Sequence, residues 1–211
     1  MLTMRRNLAT IFILTACAGA GAFARPVAAA PGDIERVYTP LDLKKCKHRP
    51  GREVEDYGSW RCIGHDGIAI NVTGGDQRIY VSFGPNAAKE IAAQQTLSAF
   101  NSEGKTIEWR IERLPNGKAR PFATILRWNV TTLDPADDLK QVTGQVLVVT
   151  RLGPGGVCHA GYVDGRANPN ANELVNEIAD TRARTFKCGK DKPVILGIQG
   201  KGFSGLYGGG D

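Results

Sequence analysis

The chain has 211 residues and a formal charge of +6. Residues 1–30 contain Arg5, Arg6 and Arg25 and no acid, so the remainder of the chain carries only +3. So small a positive net charge argues against the class of nucleic-acid-binding proteins, which normally carry a pronounced basic stripe, and we exclude that class. The remaining length suits one domain, since single cores are commonly built from about 100 to 200 residues.

The first thirty residues have the composition of an export signal. A positively charged start is followed by an apolar run over 8–14 and then by small residues as far as Ala30. The run is too short and too interrupted to span a bilayer, which takes about 20 apolar residues. We predict a signal peptide over 1–30, with cleavage sites that fit at 22–24 and 27–29, and a periplasmic or secreted protein without a transmembrane span.

A lipid anchor is the alternative interpretation of this segment. Residues 14–17 have the form of a bacterial lipobox, in which Cys17 would become the acylated first residue. The apolar run before Cys17 is short, however, and small residues continue beyond it without a polar tether. A cleaved signal peptide is therefore preferred to a lipoprotein.

A cluster of basic residues follows in the chain. Its members are Lys44, Lys45, Lys47, His48, Arg49 and Arg52. The lysines and arginines of this cluster could bind an anionic surface such as lipid headgroups or acidic polysaccharide. Three acids follow directly, at Glu53, Glu55 and Asp56, and favour a solvated loop whose charges balance. The anion-binding surface is kept as the alternative.

Alternation of apolar and polar residues predicts a first hairpin. Apolar side chains share one face over 68–72 and again over 79–83, and Gly74-Gly75 supplies a tight turn between them. The alanine-rich stretch 86–96 that follows predicts a short helix with a weak amphipathic stripe.

The same alternation predicts a second hairpin. Residues 106–113 alternate, Asn116-Gly117 marks a turn, and 122–128 return along one face. The acidic segment 134–140 is predicted to be a loop. The unbroken apolar run 146–149 then predicts a central strand buried on both faces.

A glycine-rich turn at 153–156 brings the chain back as a strand over 157–163. We exclude a phosphate-binding loop here, because neither the dinucleotide pattern nor a Gly-Lys-Ser or Gly-Lys-Thr ending is present and a strand follows. The glycines are explained by the backbone angles of a tight turn.

The C-terminal part predicts a helix and a tail. The helix begins near 168–170, where Asn170 and Glu173 form a pattern like a capping box, and apolar residues recur at helical spacing over 174–186. Glycine-rich composition predicts a flexible tail over 191–211. The elements before it predict one α+β domain over 31–190, with about seven mostly antiparallel strands in hairpin order and the helix packed on the sheet.

Four cysteines follow the predicted signal, at Cys46, Cys62, Cys158 and Cys188. An even number in an exported chain favours two disulfides, for which three pairings exist. We predict Cys46 with Cys62 and Cys158 with Cys188, because each pair closes a local segment.

Zinc is the competing interpretation of these cysteines, since His48, His65 and His159 lie close to them in sequence. The spacing matches no paired Cys-x-x-Cys framework, and Cys158 and His159 on one strand would point to opposite faces. We therefore predict no metal and no cofactor.

Candidate catalytic residues each have a simpler explanation. Ser204 lies in a sequence like a serine elbow, but a glycine is missing and no histidine follows it. Cys158-His159 could suggest a thiol and its base, but an oxidised thiol cannot attack. Glu108 and Glu112 could suggest the paired carboxylates of a glycoside hydrolase, but they lie on the solvent face of a strand and are predicted to pair with Arg110 and Arg113 or with neighbouring strands. A last group, which would line a polar pocket or serve as turn and cap residues, contains Asp164, Asn168, Asn170 and Asn172.

Two parts of the chain carry a resemblance to a known type of protein. The segments are 60–64, 75–78 and 82–84 in the first part and 171–174, 178–180 and the region of Cys188 in the second. In these segments the chain resembles small exported proteins of alphaproteobacteria that have no assigned activity. The resemblance covers most of the chain after the signal. It implies export and a bacterial envelope setting, and carries over no catalytic residues.

Residues 60–83 also resemble bacterial inhibitors of C-type lysozyme, in which an aromatic-x-Cys precedes a glycine and a strand pair. The present chain is longer than these inhibitors, and its positive charge would disfavour binding to a basic lysozyme.

The function that we expect is that of a non-enzymatic envelope or secreted binding protein of unknown ligand. A periplasmic lysozyme inhibitor and a hydrolase are the alternatives.

Overall fold

The computed structural model describes residues 34–51 and 58–207. The predicted signal peptide, Cys17 and Arg52 lie outside these residues. The described part has an α+β fold, as predicted, and contains ten strands and one α-helix rather than about seven strands. The elements are β1 Glu35–Pro40, β2 Lys47–Arg49, β3 Gly58–Ile63, β4 Ala69–Gly75, β5 Arg78–Phe83, β6 Phe100–Arg113, β7 Ala119–Asp134, β8 Asp137–Arg151, β9 Cys158–Asp164, α1 Ala171–Arg182 and β10 Val194–Leu196.

The strands form two sheets. The large sheet has the order β1-β6-β7-β8-β9-β10, and the small sheet has the order β2-β3-β4-β5. Every pairing is antiparallel except that of β10, which lies parallel to β9 after the crossover through α1. The short β1, whose exposed residues alternate with half-buried ones, covers the free edge of β6.

The first predicted hairpin is present as β4 and β5, but its turn lies elsewhere. Gly74 and Gly75 belong to β4 and pair with Ile79 and Arg78. Asp76 and Gln77 form the turn, both with positive φ, at 47° and 56°. Two-residue hairpins need this left-handed backbone, because it matches the twist of the strands.

The predicted helix over 86–96 is absent. Two short 3-10 segments, Ala87–Lys89 and Ile91–Gln94, occupy this stretch. A 3-10 segment ends within a few residues because its hydrogen bonds are strained, and the weak apolar stripe here offers no packing to extend it.

The second predicted hairpin is present as β6 and β7, with Gly117 at the turn in the left-handed region. The prediction of a loop over 134–140 is wrong, because Asp134 pairs with Asp137 and β8 begins at Asp137. Asp134 accepts a hydrogen bond from the Ala136 N–H, which closes the tight turn.

Both faces of the large sheet are buried around β8, as its apolar run predicted. One face meets the small sheet in a core that contains Ile70, Phe83, Trp109, Trp128 and Tyr162. The other face meets α1 in a second core that contains Ile125, Val149, Val175 and Ile178.

Helix α1 lies across the strands of the large sheet. Asn170 precedes it, but its side chain makes no capping hydrogen bond, so the expected capping box is not formed. Ala171, Val175, Ile178 and Ala179 provide the buried face at helical spacing.

The segment expected to be a tail contributes to the packed domain. β10 completes the large sheet, and Leu206 bridges to Leu97. Ser204 is buried, and its Oγ accepts a hydrogen bond from the Ala99 N–H at 2.8 Å. The domain boundary predicted at residue 190 therefore falls too early, and the domain extends at least to Tyr207.

Candidate ligand-binding site

An open cleft of about 570 Å³ lies on the helix side of the large sheet. Strands β1, β6, β7 and β8 form its floor, and the first turns of α1 form one wall. We call it the arginine cleft, after Arg127 at its centre. Other polar side chains that line it are Arg36, Glu103, Lys105, Asn129, Gln145, Asn172 and Asn176.

Two neutral amide side chains hold the half-buried guanidinium of Arg127. Its Nη1 donates to Gln145 Oε1 and its Nη2 to Asn172 Oδ1, both at 3.1 Å. The Nε2 of Gln145 in turn donates to Asn129 Oδ1 at 3.3 Å. Within the described ranges no carboxylate lies within 4.0 Å of Arg127, so its charge is solvated but not neutralised.

A second arginine on this side of the sheet, Arg110, is neutralised within the protein. Arg110 is 3% exposed and lies between two carboxylates. Its Nε and Nη2 donate to Asp180, and its Nη1 donates to Glu108 at 2.8 Å. Desolvation lowers the pKa of Arg110, but the hydrogen bonds and charges of Asp180 and Glu108 outweigh it and raise the pKa.

A β-bulge shapes the floor of the cleft. The pairing of β6 with β7 shifts between Glu103 and Ile107, so residues 104–106 have no partner on β7. Gly104 lies so close to the Arg127 carbonyl that a Cβ there would stand 2.3 Å from its oxygen. Bulges re-aim side chains and are common next to active sites, and this one directs Glu103 and Lys105 to the cleft.

Acceptors are present beside these donors. The carboxylate of Glu103 is half-buried, and burial raises its pKa, partly offset by a hydrogen bond from its own backbone N–H. The Oδ1 of Asn176 is buried and has no hydrogen-bond partner within the described residues. A ligand here can therefore both accept from Arg127 and donate to Glu103.

The predicted disulfides are both present. Cys46 is bonded to Cys62, and Cys158 to Cys188. The four sulfurs are therefore not available as zinc ligands. In the described part of the chain no group of three or more potential ligand residues is placed to hold a metal ion.

The predicted basic surface is exposed at its described positions. These residues lie on a 3-10 turn over Leu43–Lys45 and on the edge strand β2: Lys44, Lys45, Lys47 and Arg49. Lys45 pairs with Asp42 at 3.6 Å. Lys47 lies opposite Arg61 in register, which adds a cation to this face. His48 stacks on the Trp60 ring at 4.8 Å.

Among the polar residues at the start of α1, Asp164 and Asn168 stabilise the fold, and Asn172 lines the arginine cleft. The carboxylate of Asp164 accepts hydrogen bonds from the backbone N–H groups of Arg166, Ala167 and Gly200. The side chain of Asn168 pairs with the backbone of Ile198. These contacts hold the last segment of the chain, and only Asn172 reaches the arginine cleft.

The remaining candidates are also accounted for. Glu108 pairs with Arg110, as expected, and Glu112 pairs with Arg120 of the neighbouring strand and with Arg184. The other expected partner, Arg113, lies 3.7 Å from Glu35 instead. The prediction that these glutamates face solvent is wrong, because their face packs against α1 and the residues that follow it. His159 and Cys158 point to opposite sides of β9, as predicted, since His159 contacts Trp128 and Cys158 lies in the helix core.

The sequence alone did not single out Arg127, Glu103 and Gln145, which line the arginine cleft. Each lies on a strand at a position that alternation assigns to the outer face. The signal in the sequence is a run of polar side chains at the outer-face positions of both β7 and β8. Alternation alone does not show that these side chains line a cleft, because that depends on how far α1 covers the sheet.

Comparison with known proteins identifies no family for this chain. None of the family models, curated proteins or solved structures compared with this chain matches it. No helix within residues 34–51 and 58–207 has the length and apolar character needed to cross a bilayer. The function is therefore argued from the geometry of the cleft.

Proposed function

We propose that the protein is an exported, non-enzymatic binding protein of the bacterial envelope, and that the arginine cleft binds a sugar that carries a carboxylate. The observation that carries this proposal is the half-buried Arg127. Two amide side chains hold its guanidinium in place, and no carboxylate among the described residues neutralises its charge. The two disulfides and the composition of residues 1–30 support export.

Arg127 selects for a carboxylate. A guanidinium carries five N–H donors in a planar fork that fits a carboxylate, and only two of the Arg127 donors are used within the protein. Gln145 and Asn172 fix the plane of this fork before a ligand arrives, which lowers the entropy that binding costs.

The surrounding groups select for hydroxyls. A simple carboxylate would engage only the cations of the cleft, Arg127 with Arg36 and Lys105, and would leave the Glu103 carboxylate without a donor. A ring bearing several hydroxyls can donate to Glu103 and accept from the amide groups of Asn129 and Asn172. Tyr38, 58% exposed on the wall, offers an aromatic ring to the apolar face of such a sugar.

The experiment is calorimetric titration of the folded protein with four probes: D-glucuronate, N-acetylmuramate, D-glucose and acetate. We expect a sugar acid to bind more tightly than both glucose and acetate. Preference for glucuronate or for muramate would distinguish polysaccharide from peptidoglycan as the source. Equal binding of acetate and the sugar acids would overturn the proposal, as would no binding of any sugar acid at millimolar concentration.

A matched pair of variants locates the site. Arg127→Gln should weaken binding of the preferred sugar acid about tenfold to hundredfold, the range that corresponds to one hydrogen bond to a charged group. Arg113→Gln removes an exposed arginine elsewhere on β6 and should leave affinity unchanged. Unchanged affinity in folded Arg127→Gln would exclude the arginine cleft as the site.

The alternative of a hydrolase has less support. Cys158 is in a disulfide, and Ser204 Oγ is engaged by the Ala99 N–H and by Ser98 Oγ rather than by a histidine. Neither can serve as an activated nucleophile in this arrangement. The lysozyme-inhibitor alternative stays a prediction, and undiminished lysis by lysozyme mixed with the purified protein would exclude it.

A further inference from the structure

A second concavity, of about 690 Å³, lies at the edge of the large sheet formed by β9 and β10. We call it the histidine pocket, because His159 and Tyr162 of β9 lie at its floor. It shares none of the residues of the arginine cleft. Its other walls come from the 3-10 segment Ile91–Gln94, the residues after Cys188 and the last residues of the chain.

His159 is a buried polar residue with half of its hydrogen-bonding capacity unused. The side chain has no exposed surface, and its Nδ1 lies 3.0 Å from Tyr162 Oη. Its Nε2 is buried without a hydrogen-bond partner in the described ranges, as is the Nε1 of Trp128, whose ring meets the imidazole edge-on. A buried polar atom left unpaired is costly, so packing alone does not explain a histidine here.

The imidazole is neutral at ordinary pH, because burial lowers the pKa of His159 to about 3. Depending on the tautomer, Nε2 of the neutral ring is either a hydrogen-bond donor or an acceptor. A hydroxyl group can pair with Nε2 in either tautomer, since a hydroxyl both donates and accepts.

The upper part of the pocket is apolar with a basic rim. Ile91, Phe186 and Phe203 line the walls, and Lys190 and Lys192 are exposed at the rim. Asp191 lies between the lysines, but one oxygen of its carboxylate accepts a hydrogen bond from the Lys187 N–H. Apolar walls with a few placed polar groups are typical of small-molecule sites.

Two walls of the pocket are held in different ways. The Cys158–Cys188 disulfide ties the start of the loop to β9. Phe203 and Leu206 belong to a segment held near Ser98 and Ala99 by hydrogen bonds rather than by a disulfide. The imidazole has no exposed surface, so a ligand that reaches Nε2 must displace side chains that line the pocket.

We infer that the histidine pocket binds a small amphipathic carboxylate whose apolar body carries a hydroxyl group. The carboxylate meets Lys190 and Lys192, the apolar body lies against Phe186 and Phe203, and the hydroxyl reaches Nε2 of His159.

Titration with 8-hydroxyoctanoate, octanoate and octylamine tests the ligand class. The hydroxy acid should bind about fivefold to tenfold more tightly than octanoate, the equivalent of one net hydrogen bond. Octylamine should bind at least tenfold more weakly than octanoate. Equal affinity of octylamine and octanoate, or no binding of either acid, would overturn the inference.

Variants locate the two ends of the ligand. Lys190→Gln with Lys192→Gln should weaken octanoate binding about tenfold, whereas the nearby exposed Lys187→Gln should leave it unchanged. His159→Leu should abolish the preference for the hydroxyl. If that variant does not fold, the ¹⁵N shift of His159 Nε2 in the native protein should change with 8-hydroxyoctanoate more than with octanoate, and equal shifts would refute the contact.

One further variant separates the two sites. Arg127→Gln should leave octanoate binding unchanged, because Arg127 does not line the histidine pocket. Loss of octanoate binding in this variant would place both ligands in the arginine cleft and overturn the second site while leaving the first in place.

Discussion

Asp180 of α1 binds Arg110 of β6 through both carboxylate oxygens, at 2.9 and 2.5 Å from Nε and Nη2. This bidentate pair joins the helix to the sheet beneath it. It also neutralises Arg110, whereas no carboxylate of the described residues pairs with Arg127. The pair therefore contributes to stability and accounts for the charge of Arg110.

We expect Asp180→Asn to lower the free energy of unfolding by about 2 kcal/mol, within the range for a hydrogen bond to a charged group. Glu108 remains beside Arg110, so the loss should stay below that of an arginine left wholly unpaired. Chemical denaturation provides the measurement. Glu177→Gln, an exposed substitution on the same helix, should change stability by less than about 0.5 kcal/mol and serves as the control.

The Cys158–Cys188 disulfide closes a segment of 30 residues that includes α1. Replacing both cysteines with alanine should cost about 3 to 4 kcal/mol, the chain-entropy value for a loop of this length. Guanidinium denaturation of the native and double-alanine proteins measures the difference. A loss below about 1 kcal/mol would mean that α1 is held by packing alone. The intact mass of the native protein should also lie four hydrogens below its reduced mass.

His159 predicts a specific dependence of stability on pH. Its pKa is about 3 in the folded protein against an ordinary 6.5, so only the unfolded chain binds a proton between these values. Stability should therefore decrease as the pH falls from about 6.5 towards 3, by up to about 1.4 kcal/mol per pH unit from this residue.

The comparison that isolates this effect is the difference in unfolding free energy between the native protein and His159→Gln, measured across that pH range. Asp134 has a lowered pKa, chiefly because it accepts a hydrogen bond from the Ala136 N–H, but it contributes equally to both proteins. A difference that does not change with pH would contradict burial of a neutral imidazole.

Gly144 of β8 touches the C-terminal segment. A Cβ at this position would stand 2.0 Å from the Gly202 carbonyl oxygen, a backbone atom that cannot rotate away. Gly144→Ala should destabilise the protein by about 1 to 3 kcal/mol, as overpacking does. Gly205→Ala adds a methyl group in the same segment with no contact closer than 4.0 Å and should cost much less. Equal thermal stability of the two variants would contradict the close approach.

Much of the architecture was predictable from the sequence. Strict alternation over 68–72 and 106–113 reveals strands because a half-buried sheet requires that period. The local pairing of Cys158 with Cys188 followed from proximity along the chain, and the structure agrees. Strand β10 was not predictable, because three residues between Pro193 and Gly197 carry too little pattern and gain their pairing from β9.

The candidate sites were much harder to predict. The arginine cleft depends on a bulge in β6 and on how far α1 reaches along the sheet, and neither leaves a periodic signal. His159 was visible only as the neighbour of a cysteine. Its burial results from the approach of Trp128 and Tyr162, which are separated from one another by 34 positions in the chain.

The crossover from β9 through α1 to β10 builds the two concavities from different parts of the chain. The floor of the histidine pocket belongs to β9, and part of its wall comes from Phe203 and Leu206. The arginine cleft takes none of its lining from residues beyond α1. Substitutions at 203–206 should therefore change the shape of the histidine pocket and leave the lining of the arginine cleft in place.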